Sequence, residues 1–194
     1  MHIFVAQTEW ACYSERVEVL LRLSSAIALE RNFSLSTMPQ ILIGTHAFLG
    51  EVGALLFLWV LVELLNPSPE RLRRARILAM CGTLFLALAW IVGGYYYVEF
   101  YGTIVKPVIK AGPMPWTHSI VIETKEHVFL FLPFLAFLAS GLITTLRDEL
   151  VTNDRLRIAI VLLSGLIVLI AFAMAGFGFM VTSGFRSALE AIAL

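Results

Sequence analysis

Four stretches of the chain are apolar almost without interruption: Ile41–Leu65, Ile77–Val98, His118–Leu146 and Ile158–Phe185. A helix needs about 20 apolar residues to cross the hydrocarbon of a bilayer. The pattern therefore predicts an all-α integral membrane protein, a four-helix antiparallel bundle spanning residues 41–194. The second and fourth stretches hold no Asp, Glu, Lys or Arg, and the third is long enough for its first turns to project from the bilayer. Asn66-Pro67-Ser68-Pro69 breaks the pattern before a run containing Arg71, Arg73, Arg74 and Arg76, and Arg147–Arg157 breaks it again. Prolines at the first break stop one helix, and Ser36, Thr37 and Pro39 offer a start for the first span. Residues 1–40 form a separate segment in which Glu15, Arg16, Glu18 and Arg22 interrupt every apolar run, so no signal peptide is expected. Within it Val17–Leu29 sets Val17, Leu20, Leu21 and Ala28 apart from Glu18, Arg22 and Ser25, which predicts an amphipathic helix on the membrane surface or against a partner.

Composition narrows the class further. Hydrophobic residues make up 59% of the chain and charged residues 14%, against roughly 45–50% and 25% in ordinary soluble domains. Secreted, cytosolic and disordered classes are excluded on that balance. Lys+Arg and Asp+Glu are equal at 14 each, and no basic groove interleaved with aromatics appears, so nucleic acid is not an expected partner. The distribution of charge says more than its sum. Arg71, Arg73, Arg74, Arg76, Arg147, Arg155 and Arg157 all lie in the two short breaks, while the connection after the second span carries only Lys106 and Lys110. The positive-inside rule then makes the arginine side cytoplasmic, with both termini outside, in a bacterial or archaeal plasma membrane. The connection Glu99–Thr117, rich in Pro and Gly and following Tyr95, Tyr96 and Tyr97, reads as an outer loop with an interfacial aromatic belt. Cys12 and Cys81 fall in distant segments and indicate neither a disulfide framework nor a metal site.

Ionisable side chains inside spans cost about 2.5–3.5 kcal/mol each on insertion scales, so they mark function by default. Here His46 and Glu51 on the first span face His118, Glu123, Lys125, Glu126 and His127 on the third, all in the outer half. His46 and Glu51 recur as His118 and Glu123, a short internal repeat that predicts similar depth for the two histidines. Glu123 and His127 are four residues apart and share a helical face, with Glu126 beside them and Lys125 in another sector. After His46, Gly50, Gly53 and Ala54 form a strip of small residues that admits a second helix or a planar cofactor.

Three readings follow. Imidazoles from facing helices, small residues and apolar walls suit haem b, held by His46 with His127 or, by the repeat, with His118; Glu51 or Glu123 would fix the tautomer of a ligating ring. The mixed set His46, Glu51, Glu123, Glu126 and His127 suits instead a non-haem Cu, Zn or Fe site. In the third reading the charges are wet or pair with Lys106, Lys110 or other membrane subunits, and the chain is an accessory subunit without a cofactor. A quinone or proton-relay site at His118 and Glu123 is compatible with any of them. Residues 46–95, from His46 through the small-residue strip and the arginine turn to Gly93-Gly94-Tyr95, resemble the small four-helix membrane b-type cytochromes and the copper-resistance D-type membrane proteins. That resemblance implies a haem b or copper role with His46 as a candidate ligand; the segment from Lys106 to His127 departs from the pattern. The chain is expected to act as a redox subunit of a larger respiratory-type complex.

Overall fold

The computed structural model describes residues 37–193 together with Arg22, Ser24, Ser25 and Ala28, so the expected surface helix Val17–Leu29 lies outside the continuously described chain. Among the described residues there is no strand. Four helices are long and apolar enough to cross a membrane: α1 (Thr37–Leu65), α2 (Pro69–Ala111), α3 (Thr117–Thr145) and α4 (Asp154–Ala193).

The breaks are set by local chemistry. Ser68 sits in extended conformation before α2 and its hydroxyl accepts from the Arg71 N–H at 3.3 Å, with Pro69 opening the helix and Glu70 in its first turn. Asn153 does the same for α4, its side-chain oxygen accepting from Leu156 N–H at 3.1 Å. In α3, Pro133 lacks the N–H that would bond the carbonyl four residues back, and the helix is interrupted at Leu130.

The largest departure from the sequence reading is the segment Glu99–Thr117. It is not a loop as far as Ala111: α2 continues through a π-helical stretch, Tyr97–Val105, into Lys106–Ala111, and only residues 112–116 connect it to α3. Glycine and proline density suggested a loop, but Pro107 falls in the first turn after the π stretch, where its missing N–H is tolerated, and burial of Tyr101, Val105 and Ile109 holds the extension down. A second π-helical stretch, Thr117–Ile122, opens α3.

Two apolar cores result. Phe57, Leu64, Leu86, Ala136, Ile143 and Ile167 belong to the larger one, which joins all four helices toward the arginine turns. Tyr101, Val105, Ile109, Val121, Ile122 and Val181 form the smaller one at the opposite, tyrosine-rich end. Between α1 and α2 the helices meet through glycines: a Cβ added at Gly53 would stand 2.8 Å from the Leu86 side chain and 3.3 Å from the Gly82 carbonyl oxygen, and one at Gly82 would stand 2.9 Å from Phe57. The strip at Gly53 is thus filled by α2, the second helix of the two occupants expected from the sequence, and leaves no room there for a planar ring. Between α2 and α3 the buried Thr83 hydroxyl meets Ser140 Oγ at 2.6 Å and donates to the Ala136 carbonyl at 3.1 Å. Because an added side chain at Gly53 would press on Leu86 and crowd the Gly82 carbonyl, Gly53→Val is expected to lower stability by about 1–3 kcal/mol, the usual range for overpacking. Thermal unfolding in detergent measures it, with Gly141→Ala as control because a Cβ there meets nothing within 4 Å.

Candidate functional site

Between the two cores the helices separate around a cavity of about 750 Å³, walled mainly by apolar and aromatic groups and carrying a few polar ones: His46 from α1, Tyr97 and Tyr101 from α2, and Lys125 and Glu126 from α3. A smaller space of about 260 Å³ lies beside it, and His46, Lys125 and Gly178 line both. The larger volume lies within the range of small-molecule and cofactor pockets, roughly 300–1,000 Å³.

His46 is held by α2 in a defined pose. Its Nδ1 stands 2.8 Å from the Ala89 carbonyl oxygen, which can only accept, so Nδ1 donates and the neutral ring carries its lone pair on Nε2. The ring rests over Gly93, where any added Cβ would collide with the imidazole. Metal-ligating histidines are oriented in this way, with one nitrogen donating to a fixed acceptor. Lys125 is partly buried and, among the described residues, forms no hydrogen bond or ion pair. One carboxylate oxygen of Glu126, Oε1, is buried and likewise has no hydrogen-bond partner. A cationic and an anionic side chain in an apolar wall are both expensive unless something meets them.

The remaining candidates are placed elsewhere. His127 is exposed, lines neither cavity, and turns its Nδ1 to the Glu123 carbonyl of its own helix. His118 is 2% exposed and belongs to the smaller core, where its Nδ1 lies 3.0 Å from the Tyr101 hydroxyl and its Nε2 lies 4.0 Å from Glu123 Oε1. Glu51 and Gly50 line only the smaller space. Thus His46 and His127 do not face one cavity, and the repeat fails as a guide to depth: His46 meets α2 at Ala89 and Gly93, while His118 meets it at Tyr101. Eight to twelve residues of helix separate those points, about 12–18 Å. The expected metal set His46, Glu51, Glu123, Glu126 and His127 is likewise dispersed. Among the described residues no three of His, Cys, Asp and Glu gather where they could hold a metal ion.

Residues given another role or none by the sequence reading do much of the positioning. Gly93 provides the seat for His46, and Tyr101, expected in an interfacial belt, is buried against His118. Lys125, assigned to another sector, is the nitrogen of α3 that reaches the cavity. The most consequential omission is Glu63, a carboxylate in the last turns of α1 that is only 4% exposed. It accepts from Arg71 Nε at 2.8 Å, from Arg74 Nε at 3.0 Å and Arg74 Nη2 at 3.1 Å, and from Trp59 Nε1 at 3.1 Å. A lone Glu in an apolar run, eight residues before the first of four arginines, was the available signal.

No protein-family model, curated protein or solved structure matches this chain. The chemistry of the cavity therefore has to carry the functional reading.

Proposed function

We propose that this chain is a multi-pass membrane protein that holds haem b in the larger cavity and passes electrons through it. The observation that carries the reading is the pose of His46: a cavity-lining imidazole seated over Gly93 and anchored through Nδ1 to the Ala89 carbonyl. Lys125, rather than His127, is the nitrogen of α3 that lines the same cavity and would be available to a bound haem. Haem bound there supplies a one-electron carrier, and the aromatic and aliphatic walls keep water from it. The exposed apolar faces, with Phe134, Phe137, Leu162, Leu169 and Phe179, are in this reading the surface against lipid tails. The arginine turns lie on the cytoplasmic side and the cavity toward the outer one.

An absorption spectrum of the purified protein before and after dithionite tests the assignment. A sharp reduced α-band supports haem b, and a colourless protein overturns it. Lys125→Leu is expected to leave haem bound but shift its spectrum, because leucine would offer the iron no donor. An unchanged spectrum removes Lys125 from the iron. The unpartnered Glu126 oxygen favours a second reading, a quinone with a carbonyl that accepts from Lys125 and, once reduced, a hydroxyl that donates to Glu126; extraction of a quinone from colourless protein is its signature. Orientation has its own measurement. Single cysteines introduced at Ser68 and Gly112 in a chain with Cys12 and Cys81 replaced by serine, and treated on intact cells with an impermeant maleimide, should label at residue 112 only.

A further inference from the structure

We propose that Tyr101, His118 and Glu123 form a proton path from the wall of the large cavity to the surface at the tyrosine-rich end, coupling redox change in the cavity to protonation. The inference rests on the reading of that cavity as a redox site.

Its parts are consecutive in space. Tyr101 lines the cavity and is 2% exposed, so its hydroxyl is cut off from bulk water. That hydroxyl meets His118 Nδ1 at 3.0 Å, and His118 is equally buried. The other ring nitrogen, Nε2, points to Glu123 Oε1 at 4.0 Å, one small side-chain rotation from a hydrogen bond, and the Glu123 side chain is 52% exposed. A Tyr–His pair that merely satisfied its own polar atoms would need no third member at the surface. An imidazole moves a proton by accepting at one nitrogen and releasing from the other, and here one nitrogen faces the cavity wall and the other a surface carboxylate. The π-helical stretches Tyr97–Val105 and Thr117–Ile122 bring Tyr101 and His118 together, each residue lying in one of them. The other ionisable groups around the pair are Tyr97, stacked on Tyr101 at 5.2 Å, with Lys106 and Lys110 on α2 and Glu126 on α3. On α4, Arg186 and Glu190 are exposed and stand 3.8 Å from each other.

The charge balance is simple. Reduction of a haem held in the cavity by an external one-electron donor would place one more negative charge in a low-dielectric space. His118 takes one proton from the outer solution by way of Glu123, and both leave on reoxidation. The cofactor's potential then rises as pH falls.

Two measurements on the full chain in detergent test this. In redox titrations followed by absorbance from about pH 5 to pH 8, where a histidine titrates, the wild-type midpoint should fall with rising pH. His118→Gln should flatten that dependence while haem content stays unchanged, and Tyr101→Phe should flatten it in whatever haem it retains. An undiminished slope in both variants overturns the path. Histidine C2 hydrogen exchange, read by mass spectrometry, reports on His118 whatever occupies the cavity. PH-dependent exchange at His118, slowed in Glu123→Gln, supports a connection to outer water. Exchange indifferent to pH or to Glu123 overturns it even where haem is present, whereas a colourless protein with pH-dependent exchange overturns the haem reading and leaves the path.

Discussion

His46→Ala is expected to empty the large cavity of haem, with the haem-to-protein ratio of the purified protein falling at least about tenfold, while His127→Ala leaves the ratio unchanged. Loss of a partner that only orients a ligand already costs roughly 10–100-fold in metal affinity, and loss of the ligand itself costs more. The contrast between the two histidines follows from where they point. His46 is fixed on the cavity wall by the Ala89 carbonyl, whereas His127 is exposed and bonds back to Glu123 of its own helix. Gly93→Leu should reproduce the His46→Ala loss without removing any nitrogen, because its side chain would occupy the seat of the imidazole. His118→Ala should retain haem, since His118 belongs to the smaller core and does not line the cavity. Haem loss in His127→Ala with retention in His46→Ala would sink the assignment. The measurements are a pyridine haemochrome assay and a protein determination on the same samples.

Glu63→Ala is expected to lower stability by about 1–3 kcal/mol, by loss of charge-assisted hydrogen bonds from two arginines and of the acceptor for Trp59. The figure stays below that for a fully buried pair because Arg71 and Arg74 keep 28% and 51% of their side-chain surface exposed, and water takes them back once the carboxylate is gone. Arg71 also donates to the Val62 carbonyl at 3.0 Å, so the cluster fastens the last turn of α1 to the first turns of α2 by several bonds. Unfolding by titration with a denaturing detergent measures the change. Glu63→Gln should fall between wild type and Glu63→Ala, because an amide still accepts from Trp59 but offers the arginines no charge. A midpoint unchanged in Glu63→Ala would mean that the Ser68 cap and the Gly53–Gly82 contact alone hold this hairpin.

The four helices were legible because length and apolarity are summed over many residues, and no single misread position alters a stretch such as Ile158–Phe185. The candidate site was legible only in part. His46 was identified because an imidazole in an apolar run is conspicuous, and it does line the cavity. The partners expected for it, His127 or His118, do not line that cavity: helical spacing relates Glu123 to His127 on one face, but which face of α3 turns inward is set by packing against α2 and α4. That packing brings Lys125 and Glu126 to the cavity and leaves His127 outside. The expected loop failed for a similar reason. Tyr, Gly and Pro in the segment 99–111 carry loop signals locally, and only the burial of Tyr101, Val105 and Ile109 against α3 and α4 makes a helix there favourable.

Sequence by itself determined what is additive along the chain: the number of long apolar helices, the breaks capped by Ser68 and Asn153, and the concentration of arginine in the two turns. Tertiary structure alone decided what depends on two segments at once. It placed the Gly53 strip against α2, Gly93 under the His46 ring, Glu63 between two arginines, and Tyr101 beside His118. Each is a relation between residues on different helices or on either side of a turn, set by helix rotation and depth, which local spacing constrains only within one helix.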